Sequence, residues 1–391
     1  MENRDIVVIG AGPAGSTAAK KMAERGQDVL LLEKDRYPGE TAVCGGGLGG
    51  KFAGQALAQL PAEIVEKSVT NWLIYMPNKA YCMPTRPGIS FHRSRFDRFM
   101  AEDAARTGAD LRVRTLATDV KRNSEGLIVH LKDRETSQEY GVRTNLVIFA
   151  DGPNTMAQRF GLGFPKARPD ITAQAAIYEL EWKDNPLDCF EFFFDERISP
   201  WGYGWVFPKR DILNVGVGCL ISRMKCSITE YLDYFVENYK RVSHRLRTLK
   251  KIRFTADVIP LSHAHRIVGE NMMVVGDAAG MVDPIWGGGI GPAMLAGSIA
   301  GQVAAAAVEQ NRFDSSFLCC FEKMWKATPL HKYMRRAALA HRLFLKYSRF
   351  DTQGFLKFMR VVLLRANAPE LELAMKHPFA DGTVGLSNLS Q

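Results

Sequence analysis

Gly10, Gly12 and Gly15 follow the apolar run Asp5 to Ile9, and Glu33 closes a second apolar run, Asp28 to Leu32. Glycines at that spacing between a strand and a helix divide the work. Gly10 takes the tight turn, Gly12 lets the backbone approach a pyrophosphate, and Gly15 permits helix-to-strand packing, while an acid placed like Glu33 accepts a ribose hydroxyl. An acid at that position suits an unphosphorylated adenosine ribose. Near the other end of the chain, Gly276-Asp277-Ala-Ala-Gly280 follows the buried-strand run Met272 to Val275 and precedes an Ala/Gly-rich helical stretch, Met294 to Val308. Backbone amides at such a turn face a phosphate, and Asp277 is placed to accept a hydrogen bond from a sugar-alcohol hydroxyl. The second motif narrows a general dinucleotide site to a tightly held flavin.

Those residues need a strand, turn and helix up to about Arg25, a second strand carrying Glu33, and a distant strand-to-helix turn brought alongside. With the segments His92-Arg93-Ser-Arg-Phe96-Asp97-Arg-Phe-Met100 and Ala150-Asp151-Gly152-Pro153-Asn154-Thr155 added, the chain resembles, over about residues 1–310, the FAD-dependent enzymes built like p-hydroxybenzoate hydroxylase. The resemblance implies an α/β fold: a Rossmann-like FAD-binding domain with an inserted antiparallel-sheet substrate domain and a C-terminal helical region. It implies FAD contacts at Ala14, Lys34, Arg93, Val120, Asp151 and Gly152, and in the late turn at Gly276, Asp277, Gly288, Gly289 and Ile290. From spacing alone, Arg93 and Asp97 also fit an i, i+4 pair on an exposed helix face, worth a few tenths of a kcal/mol.

The expected FAD-binding domain is discontinuous, at 1–70, 91–165 and 255–310, with the substrate domain at 71–90 and 166–254 and a basic helical region at 311–391. Strand-like runs at Thr172 to Glu181 and Leu213 to Ile221 support a sheet in the insert.

Every second residue from Trp201 through Tyr203 and Trp205 to Phe207 is aromatic, which in a strand places four rings on one face, with Phe190, Phe192, Phe193 and Phe194 just upstream. Spacing alone divides evenly between an ordinary aromatic core and an apolar slot over a flavin ring. Tyr-x-Trp-x-Phe-Pro followed by Lys209 and Val215-Gly-Val-Gly218 resembles the geranylgeranyl reductase family, as does Val43-Cys44-Gly-Gly-Gly47-Leu48. That resemblance implies saturation of isolated C=C bonds in polyprenyl chains on lipids, chlorophyll precursors or quinones, and a Cys44 loop, including Gly45, close to the isoalloxazine. Without it, Cys44 reads as a small residue in a flexible turn.

A reductase of this kind needs hydride from reduced FAD and a proton, with Cys44 and Tyr203 as candidate donors, a bound water and the flavin itself equally open, and Trp205 beside them in the catalytic group. Trp201, Tyr203, Trp205, Phe207 and Trp286 are the expected substrate contacts. Two other reaction classes fit the same scaffold: an aromatic monooxygenase, and a flavoprotein carrying electrons to quinone. No separate nicotinamide domain is visible, so NAD(P)H docking transiently and a ferredoxin-like protein are both open as electron donors.

The chain has 391 residues, 46% of them hydrophobic, enough for more than one core. Its seven cysteines, Cys44, Cys82, Cys189, Cys219, Cys226, Cys319 and Cys320, show no zinc-ligand spacing. Their odd number, a core strand at the start and no transmembrane run point to a reducing, cytoplasmic setting. From Phe321 to Arg365, eleven Lys and Arg face only Glu322 and Asp351, a surplus equal to the whole chain's net charge of +9. Lys332, Arg335, Arg342, Lys346 and Arg349 fall on one helical face, which fits an anionic membrane surface at the inner face of the cell membrane. A solvated face or an acidic donor protein fits too. Nucleic acid is disfavoured, because no base-reading motif accompanies the charge.

Overall fold

A computed structural model describes residues 1–49, 60–77, 79–83, 87–123, 126–165 and 168–347. Its contacts divide the chain into two units. The first is built from Met1–Ala42, Arg93–Thr172 and Ile259–Ala338; the second from Val43–His92 and Ala173–Val258, together with the chain from Leu339.

The first unit centres on an eight-stranded sheet whose path runs Val268–Gly269, Met272–Val274, Glu139–Phe149, Glu2–Ile9, Val29–Leu32, Asp110–Arg112. The strand Glu2–Ile9 pairs in parallel with Glu139–Phe149 on one side and Val29–Leu32 on the other. Both faces of these strands are covered, so they read as apolar runs such as Val29-Leu-Leu-Leu32, buried throughout. The helix Pro13–Ala23 lies against the long helix Ile290–Glu309, and the crossing is close because its contact residues are small. A Cβ on Gly297 would stand 2.3 Å from the Ala14 carbonyl oxygen, and one on Gly301 2.6 Å from that of Ala18. Ile290–Glu309 is long and apolar enough to cross a membrane, yet 72% of its apolar window is buried within the structure. The expected helix at Met294 therefore starts four residues earlier, because Gly289 caps it and Gly291-Pro292 fits its first turn. The Asp277 turn leads first into a 3-10 helix, Gly276–Ala279, closed by Gly280 in the left-handed region.

The second unit carries a seven-stranded sheet in the order Lys250–Pro260, Thr172–Glu181, Ile212–Leu220, Tyr203–Pro208, Cys189–Phe193, Asn71–Met76, Lys79–Met83. From Thr172–Glu181 through Ile212–Leu220 and Tyr203–Pro208 to Cys189–Phe193 it is antiparallel as expected, and Cys189–Phe193 then runs parallel to Asn71–Met76. Those two strands are far apart in sequence, so no hairpin turn dictates their relative direction. One face of the sheet packs on the helix Ile228–Glu237, burying Val206, Val215 and Val217 against Leu232 and Phe235. Ser227 and Glu230 form a reciprocal cap at the start of that helix. The small sheet Gly47–Gly49, Gly88–Ser90, Lys67–Val69 belongs to the same unit.

The chain continues from the first unit into two helices, Ser315–Ala327 and Pro329–Tyr347. Lys332, Arg335, Arg336 and Arg342 are exposed on the second, alongside Leu339 and Leu343. Of the proposed basic stripe, Arg349 lies outside the described residues, as do Lys357, Arg360 and Arg365.

Candidate functional site

In the first unit the glycine turn is built as its spacing predicts. Gly10 has φ +102°, its N–H donates to the Leu32 carbonyl at 2.9 Å, and a Cβ there would stand 2.4 Å from the Ala150 carbonyl oxygen. A Cβ on Gly15 would stand 1.9 Å from the Gly10 carbonyl oxygen. At Gly12 and Gly288, by contrast, a Cβ would meet no atom within 4 Å. Those are open places beside main chain, the kind of space a pyrophosphate and its neighbours need.

Glu33 is buried, and its carboxylate accepts from the Ala11 N–H at 3.3 Å and the Asp35 N–H at 3.0 Å. Burial raises its pKa against those two hydrogen bonds. Lys34 is paired with Asp35 at 2.9 Å. Asp151 is half-buried with its carboxylate enclosed, and that enclosure pushes its carboxyl up although Thr155 and the Met156 N–H, at 2.8 Å, oppose the shift. Its Oδ1 has no hydrogen-bond partner within the protein, and Gly152 beside it has φ +80°. A buried carboxylate oxygen left in that state beside the Gly10 turn is suited to a ligand hydroxyl or ring N–H.

The late turn joins the early one. A Cβ on Gly276 would stand 3.0 Å from the Ala14 Cβ, and one on Gly289 3.0 Å from Asp277 Oδ1, so Asp277 lies at the start of the helix Ile290–Glu309. The half-buried Asp283 organises the intervening turn, accepting from the N–H groups of Ile285 at 2.8 Å and Trp286 at 3.1 Å. Gly10 to Gly15, Asp151, Gly276, Asp277 and Gly288 to Ile290 thus form one cluster. Two further expected members also have contacts within the protein. Arg93 makes a bidentate pair with Asp97 at 2.8 and 2.7 Å, and the pair is largely buried instead of lying on an exposed face. The Val120 side chain is buried in the apolar core. The open space, the unmatched Asp151 oxygen and the acid at Glu33 fit a flavin dinucleotide.

In the second unit, Tyr203, Trp205 and Phe207 share one face of the strand Tyr203–Pro208, with neighbouring centroids 5.9 and 6.3 Å apart. Phe207 lies 4.3 Å from Phe190 and 5.2 Å from Phe192, and Tyr203 lies 5.5 Å from Phe192 and 5.4 Å from Phe194. Trp201 departs from the expected row of four. Its φ of +57° places it in a turn before the strand, and its ring stacks on Arg223 at 5.0 Å. Alternation holds only for extended backbone, and a left-handed residue ends it. Phe193 faces the opposite way, into the helix-covered core.

The Cys44 loop lies on this ring face. A Cβ on Gly45 would stand 2.7 Å from the Phe207 ring, one on Gly47 3.0 Å from Phe190, and one on Gly49 2.1 Å from Trp72. The glycine richness of Cys44-Gly-Gly-Gly-Leu-Gly49 is therefore steric. Asn214 anchors the loop, donating to the Cys44 carbonyl at 3.1 Å and accepting from Trp205 Nε1 at 2.9 Å. Cys44 itself is partly exposed and accepts from the Gly46 N–H at 3.3 Å.

Four polar residues beside this loop escape a reading of the sequence: Asn214, Lys209, Glu179 and His92. Lys209 is buried, with Nζ 3.4 Å from Glu179 and 3.5 Å from His92 Nδ1. The lysine immediately after Tyr-x-Trp-x-Phe-Pro was a signal that could have been followed; its burial could not be read.

Comparison with known proteins agrees with the reading of each unit. Residues 5–164 match the family model of FAD dependent oxidoreductases, and residues 170–254 match that of the geranylgeranyl reductase catalytic domain. The chain is 34% identical over 347 residues to digeranylgeranylglycerophospholipid reductase 1 of Methanothermobacter thermautotrophicus, covering 85% of each chain. It is 31% identical over 367 residues to digeranylgeranylglycerophospholipid reductase 2 of Methanococcoides burtonii, covering 92% of this chain and 88% of that one. Among solved structures, a geranylgeranyl bacteriochlorophyll reductase-like protein from Thermoplasma acidophilum superposes with a TM-score of 0.83 at 28% identity, over 96% of this chain and 98% of that one. A flavin-dependent brominase shares the fold alone, with a TM-score of 0.74 at 19% identity, over 95% and 98% of the two chains. The chain belongs to the geranylgeranyl reductase family, and is an FAD-dependent oxidoreductase acting on the C=C bonds of isoprenoid chains.

Proposed function

We propose that the protein saturates geranylgeranyl chains carried on a glycerophospholipid, with FAD held by the first unit and the polyprenyl chain by the second. The observation that carries this reading is the Tyr203, Trp205 and Phe207 face under the Cys44 loop. A row of rings with a glycine loop drawn over it suits a flexible hydrocarbon chain, because it offers apolar area without polar groups that would need partners. The lipid head group follows from what the relatives in M. thermautotrophicus and M. burtonii are named for.

Reduced FAD supplies the hydride, as the cofactor's own chemistry. The protein's residues have the other tasks. Gly12, Glu33, Asp151 and Asp277 hold the cofactor. Trp205 and Phe207 position the chain and exclude water. Cys44 or Tyr203 gives the proton, since an isolated alkene cannot hold a developing carbanion; protonation of the less substituted carbon, which puts the developing cation on the more substituted one, must accompany hydride transfer. The exposed Arg335, Arg336 and Arg342 with Leu339 and Leu343 suit attachment to an anionic membrane, from which such a substrate has to be collected.

The test reduces the holoprotein with dithionite under anaerobic conditions and adds a digeranylgeranylglycerophospholipid in anionic or in neutral vesicles. Flavin reoxidation with a mass gain of two hydrogens per bond, faster on anionic vesicles and slowed there by salt, is the expected result. Reoxidation only by oxygen with an aromatic acid, or by a quinone whose side chain is unchanged, would replace this reading with a hydroxylase or an electron carrier. Equal rates on both vesicles would remove the membrane surface.

A further inference from the structure

The second unit encloses four ionisable side chains that no step above uses. Lys209 Nζ stands 3.4 Å from Glu179 Oε1 and 3.5 Å from His92 Nδ1. His92 in turn stands 3.8 Å from Glu179 through Nδ1 and 3.8 Å from Glu66 through Nε2. The side chains of Lys209, Glu66 and Glu179 are almost sealed, while His92 is about a quarter exposed, at 24%. Glu179 comes from the strand Thr172–Glu181, Lys209 from the end of the ring strand Tyr203–Pro208, and His92 from just beyond Gly88–Ser90. Arg253, from the strand Lys250–Pro260, adds its charge to Glu179.

Such a cluster is costly to bury, and an apolar set of the same volume would serve packing at least as well. Its position is what singles it out. The Lys209 stem lies under the Cys44 loop, with Cε 3.4 Å from where a Gly46 Cβ would stand, and Cys44 is among the groups whose charge favours the Lys209 ammonium. The cluster therefore reaches from a partly exposed imidazole to the underside of the loop that covers the ring face.

We propose that Glu66, His92, Glu179 and Lys209 form a buried proton relay that recharges the proton donor of the Cys44 loop after each bond is reduced. The inference rests on the reading of Cys44 as that donor. Each saturation adds a hydride with its electron pair, from the reduced cofactor, to one alkene carbon and a proton to the other. The Cys44 S–H bond breaks as the new C–H bond forms, leaving a thiolate. The thiolate takes a proton from the Lys209 ammonium, the amine takes one from the His92 imidazolium, and His92 takes one from water. The relay ends as it began, and the substrate has gained two hydrogens. Glu179 lies against both Lys209 and His92, and Glu66 against His92, which keeps the chain of groups in line.

The electrostatics suit a relay. Burial would raise the Glu179 pKa, but the His92 hydrogen bond and the charges of Lys209 and Arg253 override it and hold the carboxyl at about 2, so Glu179 stays ionised. Lys209 faces Glu179, Glu66 and Cys44, yet burial outweighs their attraction and lowers its pKa. Glu179 is therefore well served by the pair and Lys209 only partly, because the ammonium is the more deeply enclosed of the two. An ammonium held below its ordinary range releases a proton more readily than a surface lysine. Lys209 and His92 act through the loop and are positioning residues.

The test uses anaerobic, dithionite-reduced holoenzyme with a digeranylgeranylglycerophospholipid and follows the first and later bonds separately. His92→Gln and the charge-neutral double variant Lys209→Met with Glu179→Gln should reduce the first bond within about threefold of the parent rate, because the donor already carries its proton. Later bonds should slow about tenfold or more, with an altered pH profile, and added imidazole should restore His92→Gln. Unchanged later-bond rates and pH profile in both variants would overturn the relay. So would equal slowing of first and later bonds without imidazole rescue, which is the mark of a merely structural role. If the double variant fails to fold, His92→Gln, at the exposed end, carries the test alone. Cys44→Ser is measured in parallel: a full first-bond rate there would overturn the Cys44 reading and the relay with it, whereas a lost first-bond rate there beside unchanged later bonds in both relay variants would overturn the relay alone.

Discussion

Gly10 to Gly15 in the first unit and Cys44 to Gly49 in the second are both glycine-rich, and the glycines meet different counterparts. In the early turn, main chain meets main chain: the space a Cβ would need at Gly10 and Gly15 is taken by the carbonyl oxygens of Ala150 and Gly10. In the Cys44 loop, Gly45, Gly47 and Gly49 meet rings, those of Phe207, Phe190 and Trp72, while a Cβ on Gly46, at φ +65°, would meet main chain, the Phe91 carbonyl oxygen, at 2.2 Å. A carbonyl just past the end of a buried strand can give way only by moving main chain, whereas a ring can turn or slide at modest cost. The first segment is consequently a fixed cradle, and the second is a cover whose fit is set by side chains more than 20 residues away in sequence and, for Phe207, far more. Between these extremes stands Gly12, where a Cβ would meet nothing.

Substitution by alanine along this series should break the comparison if it is wrong. The largest effect is expected for Gly10→Ala, which combines a φ of +102° with a would-be contact of 2.4 Å to a carbonyl oxygen. A loss of roughly 3 kcal/mol or more should appear as a lower Tm and a colourless preparation. A yellow protein of parental Tm would show that the turn is not fixed. Gly45→Ala should cost about 1–2 kcal/mol by crowding the Phe207 ring, and Phe207→Leu in the same chain should recover part of it. Additive losses in the double variant would mean that the ring is not the counterpart. The smallest change in stability, about 0.5–1 kcal/mol, is expected for Gly12→Ala, since alanine is a poorer helix cap but meets no neighbour. Flavin retention on dialysis should nonetheless fall about tenfold, because the methyl group takes space assigned to the pyrophosphate. Unchanged retention would place the pyrophosphate elsewhere.

Much of the nucleotide unit was legible because its chemistry is local. The strand, Gly10, Gly12, Gly15 and the second strand with Glu33 occupy a single stretch of chain, and Gly276-Asp277 follows its own short strand. The ring strand was legible in part. Period-two alternation located Tyr203, Trp205 and Phe207, and it overreached to Trp201 because a left-handed φ leaves no mark in a hydrophobic pattern. The parallel seam between Cys189–Phe193 and Asn71–Met76 also had no signal, since neither strand's composition encodes the direction of its partner. Arg93 and Asp97 were read correctly as spaced for a pair, but that the pair would be buried was not visible.

By itself the sequence determined the dinucleotide turn, the flavin motif, the ring pattern and the family, because each rests on residue types at fixed short spacings. Only the tertiary structure decided that the glycines after Cys44 lie against Phe207, Phe190 and Trp72, and that Glu66, His92, Glu179 and Lys209 converge beneath that loop. These contacts join segments as much as 170 positions apart, as Asn214 and Cys44 are. Burial, which turns an ordinary lysine and glutamate into a coupled pair, is a property of the packed sheet and of no single stretch of chain.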